Sequence, residues 1–173
     1  KECMKELLTG VLPALVTPLD GEGRVKTELA KPLIDMYVKQ GAAGLYMLGW
    51  TGEGADLSVE KRKIWAQAVL EAGREQLPIF VHVGYNENLD DSVELAAHAE
   101  RYGAYAVASV GISESASLQD NVDYFKRIAQ AAPGTPFYIY WVAGGKTLTA
   151  GKSIGPDELL KAMEAVPTFR GIQ

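Results

Sequence analysis

The most constraining feature of this 173-residue sequence is a regular alternation of short apolar runs with amphipathic stretches. The runs are almost continuously apolar, which is typical of parallel strands covered on both faces rather than of half-exposed strands. They recur at a spacing of roughly 25–35 residues, the size of a strand, a helix and the return to the next strand. We predict strands in the segments 10–18, 45–49, 79–84, 106–111 and 137–142.

The amphipathic stretches between these runs predict five helices. Thr27 and Ser58 are suitable N-cap residues for the first two, Asp91 or Ser92 for the third, and Pro156 stands at the start of the fifth. Three helices are predicted to end before a glycine, namely Gly41, Gly73 and Gly103.

Five strand–helix units followed by the start of a sixth strand fit two architectures, a doubly wound sheet and a (β/α)8 barrel. The even size of the units and the lack of a phosphate-type glycine turn after the first strand favour the barrel. We therefore predict an α/β protein of the (β/α)8 TIM-barrel type. The chain would cover strands 1–5 with their helices and the start of strand 6, as a single partial-barrel domain over residues 1–173.

Composition limits the classes of partner. A net charge of −5 without a basic stripe argues against nucleic acid, and the apolar runs are far too short to span a membrane. Cys3 stands alone, so a disulfide framework is excluded and a reducing, cytoplasmic location is the simpler expectation.

The segment "GWTGEG", Gly49 to Gly54, follows the second strand at the end where barrel enzymes carry their chemistry. Its glycines permit a sharp turn with successive exposed N–H groups, and Thr51 adds a hydroxyl, so the turn suits a carboxylate. A glycine-rich turn capped by Glu53 explains the same residues without a ligand. Both interpretations stay open.

Two tyrosines mark the end of the fifth strand. Tyr138 and Tyr140 point the same way because side chains alternate along a strand. A tyrosine at this place can relay protons, although core or rim packing explains such residues equally well.

Two lysine-containing segments approach a phosphate-binding loop without completing it. In "GGKT" (144–147) and "AGKS" (150–153), Tyr140 and Lys146 stand where the pattern requires a glycine. We predict a flexible basic loop there instead.

The two histidines are predicted to be structural. His82 lies within a strand, and His98 lies on a helix four residues after Glu94, a spacing that suits a surface pair. Neither has a neighbouring cluster of metal-ligating residues, so we predict no metal site.

The sequence resembles the dihydrodipicolinate synthase and N-acetylneuraminate lyase family over nearly its whole length. The matching segments, in order, are "GVLPALVTPLDGEGRV", "GLYMLGWTGEG", "LSVEKRK", "IFVHVG", "ELAAHAERYGAYAVA", "TPFYIYW" and "VPTFRGIQ". The resemblance implies a (β/α)8 barrel and class I aldolase chemistry, in which a lysine on the sixth strand forms a Schiff base with pyruvate and no cofactor is needed. It also implies that the turn from Gly49 to Glu53, including Trp50, Thr51 and Gly52, binds the substrate carboxylate and that Tyr140 shuttles protons.

The chain departs from the family pattern at four places, all at the end of the predicted barrel where the family has its active site. Gln173 stands where the family has its Schiff-base lysine, and Trp50 replaces a Ser or Thr of the proton relay. A longer segment follows Tyr140, and the segment 111–118 lacks the aromatic residues usual there. Together these changes predict a catalytically silent relative with a scaffold or ligand-binding role.

Two other hypotheses remain. The first is an active N-acetylneuraminate lyase or pyruvate aldolase whose lysine is mutated or lies elsewhere; Thr51, Gly52, Glu53 and Tyr140 favour it. The second is a pocket for a chromophore or apolar ligand near the strand-end aromatic residues. The expected ligands are pyruvate, a small oxo acid or a sugar acid. Since a part-barrel has open edges, we also expect a homo-oligomer or a complementary barrel fragment.

Overall fold

A computed structural model describes residues 8–85, 88–112, 115–141 and 155–173. Six strands form one parallel sheet in which each strand pairs with the next along the chain. They are β1 (Ala14–Leu15), β2 (Leu45–Met47), β3 (Ile79–Gly84), β4 (Ala106–Ser109), β5 (Phe137–Ile139) and β6 (Phe169–Ile172). A doubly wound sheet reverses its strand order at a switch point. The unbroken order therefore identifies the barrel type, and the chain covers its first five strand–helix units and strand 6.

In the described ranges, five α-helices connect successive strands. They are α1 (Ala30–Lys39), α2 (Val59–Gly73), α3 (Leu89–Arg101), α4 (Leu118–Ala131) and α5 (Pro156–Met163). The hydroxyl of Ser58 accepts a hydrogen bond from the backbone N–H of Lys61 at 3.3 Å, which confirms Ser58 as the N-cap of α2. Thr27 instead begins a short 3-10 helix, Thr27–Leu29, that leads into α1.

Two helix boundaries differ from the sequence-based expectation for packing reasons. Helix α3 begins at Leu89, after the N-cap Asn88, and not at residue 91 or 92. The hydroxyl of Ser92 is buried and shares a hydrogen bond with Tyr124 of α4 at 2.8 Å, so it serves the helix–helix contact instead of a cap. Gly73 is the last residue of α2, where a Cβ atom would come within 2.5 Å of Ile34.

The two faces of the sheet bury different side chains. We call the face covered by the helices the outer face; its core contains large residues such as Trp65, Phe125 and Phe137. We call the opposite face, which turns toward the barrel axis, the inner face; Tyr46 and Phe80 pack there against small alanines of β4. Alternation along each strand thus sends successive side chains to opposite faces.

Two further expectations concern the chain as a whole. In the ranges that the structure describes, no helix is long and apolar enough to cross a membrane. The predicted basic loop with its segments 144–147 and 150–153 lies outside the described residues.

Candidate functional site

The candidate site lies at the carboxyl ends of the strands, where all strands of a parallel sheet finish at the same edge. The turn Gly49–Glu53 follows β2, and Tyr85 follows β3. Tyr140 comes directly after β5 and Gln173 directly after β6. The structure therefore brings every residue predicted for the site to one end of the sheet.

The turn after β2 has an unusual backbone. Leu48 and Glu53 adopt left-handed conformations, with φ of +59° and +53°, which non-glycine residues rarely do. At Gly52 a Cβ atom would lie 2.9 Å from the carbonyl oxygen of Leu15 and from the backbone nitrogen of Leu48. Glycine is therefore required at this position, because the chain passes directly against its neighbours.

Hydrogen bonds from both sides fix this turn. The Thr17 hydroxyl, on the segment after β1, donates to the carbonyl oxygen of Gly52 at 2.7 Å. The Tyr85 hydroxyl, after β3, donates a short hydrogen bond to the carbonyl oxygen of Leu48. These two side chains position the turn from the neighbouring strands, a role that the sequence analysis did not assign to either.

Two backbone donors of the turn have no partner among the described residues, one on exposed Thr51 and one on buried Gly52. The backbone N–H groups of Thr51 and Gly52 form no hydrogen bond with any part of the chain that the structure describes, and the Thr51 side chain is exposed. Glu53 is also exposed and makes no side-chain capping bond to the 3-10 helix that follows. Glu53 therefore does not cap this helix through its side chain, and carboxylate binding by the turn stays a prediction.

A row of aromatic rings begins beside this turn. Trp50 is 59% exposed, and its ring meets the Tyr85 ring edge-on, with 5.1 Å between the centroids. Tyr85 packs on His82 at 4.2 Å, and His82 meets Tyr140 at 6.0 Å. The rings connect the end of β2 with the end of β5 across the inner face.

The hydrogen bonds of His82 settle its protonation. Nε2 lies 2.8 Å from the carbonyl oxygen of Gly84, which can only accept, so Nε2 carries the proton and donates. Nδ1 is then the acceptor for the Tyr46 hydroxyl, at 2.6 Å. Burial lowers the pKa of His82 to about 4 and raises the pKa of Tyr46. His82 is thus a neutral, fully bonded structural residue, as predicted.

Tyr140 and Gln173 lie side by side on adjacent strand ends. The backbone N–H of Gln173 donates to Ile139 at 2.8 Å, and that of Trp141 donates to Gln173 at 3.0 Å. Tyr140 is half-buried, and Gln173 is exposed. Tyr138, two residues earlier, packs on Phe80 at 5.2 Å, so for Tyr138 the packing interpretation applies.

The second histidine, His98, is half-buried on α3. Its ring packs against that of Tyr102 in a tilted arrangement, with 4.6 Å between the ring centroids. The expected pairing with Glu94 is replaced by an ion pair of Glu94 with Lys63 of α2, at 2.7 Å. Across the described ranges, no group of three or more His, Cys, Asp or Glu side chains is arranged to hold a metal ion.

Sequence reasoning missed Tyr46, Tyr85 and Thr17 as parts of this region. Tyr85 had an available signal, since it directly follows a strand in the same way as Tyr140 follows β5. Thr17 and Tyr46 had none, because their partners are 35 and 36 residues away along the chain.

Comparison with known proteins identifies the family. The model of the dihydrodipicolinate synthetase family matches residues 7–172. The chain belongs to this family. The N-acetylneuraminate lyase of Xenopus tropicalis is 37% identical over 171 residues, which are 96% of this chain and 54% of that protein.

Solved structures agree. A sialic acid aldolase of Ruminococcus gnavus, a catalytic lysine mutant, superimposes with a TM-score of 0.84 at 33% identity, covering 95% of this chain and 52% of that one. The N-acetylneuraminate lyase of Proteus mirabilis gives 0.85 at 31% identity, covering 96% and 55%. The chain spans about half the length of these relatives. It is therefore related to the class I aldolases of the family.

Proposed function

We propose that this chain is a catalytically silent relative of the N-acetylneuraminate lyases, with a scaffold or ligand-binding role. The observation that carries the proposal is Gln173 beside Tyr140 at the end of β6, where the resemblance expects the Schiff-base lysine. The nitrogen lone pair of an amide is delocalised into its carbonyl group. Gln173 therefore cannot attack a ketone to form an imine, the step on which class I aldolase chemistry depends.

Trp50 supports the same conclusion. The resemblance expects a hydroxyl group at this position, next to Thr51, as part of a proton relay. An indole N–H can donate a hydrogen bond but cannot accept one, so it cannot pass a proton along a chain of hydroxyl groups.

The ligand-binding part of the proposal rests on the turn Gly49–Glu53. The N–H groups of Thr51 and Gly52 and the Thr51 hydroxyl would bind the carboxylate of pyruvate, another small oxo acid or a sugar acid. Thr17 and Tyr85 hold this turn in place without a ligand, so the donors are already oriented. No cofactor or metal is part of the proposal.

The alternative function is an active N-acetylneuraminate lyase or pyruvate aldolase whose lysine is mutated or lies elsewhere. Tyr140 next to residue 173 favours it, because the proton-shuttling phenol and the carboxylate-binding turn are both present. Trp50 counts against it, since a change at position 173 alone does not explain an indole beside Thr51.

The proposed partners follow from the edges of the sheet. Among the described strands, β1 and β6 each pair on one side only. An unpaired strand edge invites pairing with another chain. We propose that residues 1–173 form a single part-barrel domain completed by another copy or by a complementary barrel fragment.

Borohydride reduction in the presence of pyruvate tests the proposal. An imine on a lysine would be trapped as a stable adduct and detected as a mass gain, with the N-acetylneuraminate lyase of Xenopus tropicalis as positive control. We expect an adduct on the control and none on this chain. An adduct on any lysine of this chain, mapped by peptide sequencing, would establish the aldolase alternative.

The Gln173→Lys variant shows whether Gln173 alone prevents imine formation. An adduct at position 173 of the variant would attribute the loss of imine formation to this residue alone. No adduct on a folded variant would mean that Trp50 or the surrounding loops also prevent it, and the double variant with Trp50→Ser would then be measured.

A further inference from the structure

The exposed Trp50 ring packs against the buried Tyr85 ring, and we call this pair the aromatic wall. Their rings meet edge-on at 5.1 Å, a favourable geometry for aromatic pairs. Tyr85 is buried and fixed by its hydrogen bond to Leu48, and the Arg62 guanidinium lies 6.0 Å from its ring centre. Trp50, in contrast, is 59% exposed. A rigid, buried ring thus supports an indole that is presented outward.

The aromatic wall adjoins the polar donors of the turn along the chain. Trp50 precedes Thr51 in the chain, and Tyr85 bonds to Leu48, the residue in front of Gly49. The N–H groups of Thr51 and Gly52 find no partner among the described residues. An exposed indole by itself is an ordinary surface feature. Here it is next in the chain to two N–H groups without partners among the described residues, on a turn that Thr17 and Tyr85 hold in place.

We infer that this site binds a carboxylate that carries an aromatic ring, such as an aryl-substituted 2-oxo acid. The turn Gly49–Glu53 binds the carboxylate, and the ring packs on the aromatic wall. The inference rests on the proposed function, since it requires the turn to bind a carboxylate, and it narrows the ligand to one chemical class.

The apolar surface of the Trp50 ring favours one class of ligand over the others. Pyruvate has only a methyl group beyond its ketone, so it would leave the indole uncovered. A sugar acid can place only the C–H side of its ring on the indole, and its hydroxyl groups find no hydrogen-bond partner on an indole face. A flat ring instead covers the indole, replaces water on apolar surface and gains the edge or stacking geometry that aromatic pairs prefer.

Isothermal titration with phenylpyruvate and with pyruvate tests this inference. We expect phenylpyruvate to bind about tenfold or more tightly than pyruvate, since one tenfold step corresponds to a modest aromatic contact plus burial. Trp50→Ser should remove this preference by weakening the binding of phenylpyruvate. Trp50→Phe should retain part of the preference because it keeps a ring.

Ile64→Ser is the matched control. Ile64 is 47% exposed on α2, so the change also removes an exposed apolar side chain, but away from the turn. It should leave both affinities unchanged, and thermal melting should establish that all variants are folded.

The outcomes distinguish the two proposals. Equal affinity for both acids, or a preference that survives Trp50→Ser, would overturn the aromatic ligand class while leaving a carboxylate-binding turn. Binding of neither acid by the folded chain would overturn both the turn as a carboxylate site and the inference built on it. A borohydride adduct would contradict catalytic silence alone.

Discussion

The two faces of the same sheet carry different chemistry. On β3, Val81 and Val83 face the helices and are buried in the apolar core, whereas Phe80 and His82 face inward. The outer face is held by contacts that any close-packed side chains of similar volume could make. The inner face combines rings with directed hydrogen bonds, such as that from Tyr46 to His82. Along one strand, the residues that face the helices thus stabilise the fold, and those that face inward set the geometry of the site.

The largest expected effect tests this division on β5. Phe137 is fully buried on the outer face and packs on Phe125 at 5.2 Å. Phe137→Ala should lower the free energy of unfolding by about 3–5 kcal/mol, because it leaves a cavity in a rigid core. Tyr138→Ala, one residue further on the half-buried inner face, should cost clearly less. Urea denaturation followed by circular dichroism measures both, and an equal loss would contradict the distinction between the faces.

The next effect concerns pH and the inner face. The pKa of His82 is about 4 in the folded chain and near 6.5 when unfolded. Between these values the unfolded state binds the extra proton, so stability falls as the pH falls from 6.5 to 4. The slope should approach about 1.4 kcal/mol per pH unit, and above pH 6.5 His82 should contribute none.

The His82→Asn variant isolates this contribution. Burial also lowers the pKa of His98, so the unchanged chain carries a second histidine that acts in the same direction. The variant should be less stable at neutral pH. Its free energy of unfolding, measured by urea titration, should fall less steeply between pH 6.5 and 4 than that of the unchanged chain. An unchanged slope would mean that His82 is not held neutral by burial.

The smallest effect concerns the hydrogen bond from Thr17 that holds the turn Gly49–Glu53 in place. Thr17→Val keeps the shape of the side chain but removes the hydrogen bond to the carbonyl oxygen of Gly52. We expect a loss of about 1 kcal/mol in unfolding free energy, typical of one hydrogen bond. We also expect weaker carboxylate binding, because the turn is less well fixed. Unchanged binding by calorimetry would show that Tyr85 alone positions the turn.

Much of the fold could be predicted because its signals are local. The apolar run 79–84 coincides with β3, whereas the other strands are shorter than the apolar runs that predicted them. Ser58 caps α2 as expected, since an N-cap acts within one turn of its helix. Ser92 was assigned wrongly because its hydroxyl bonds to Tyr124, 32 residues away. The assignment of 1–173 to a single domain and the cytoplasmic location stay predictions.

The sequence by itself determined the strand–helix repeat, the family, and the chemical character of positions 50, 51, 140 and 173, because these depend on residue identity and local spacing. Only the tertiary structure decided that Trp50 packs against Tyr85 while remaining exposed, and that Thr17 and Tyr85 hold the turn in place by hydrogen bonds. These contacts join segments that are 35 or more residues apart along the chain. Parallel pairing of the strands brings their ends together, and no local pattern records which side chains then meet.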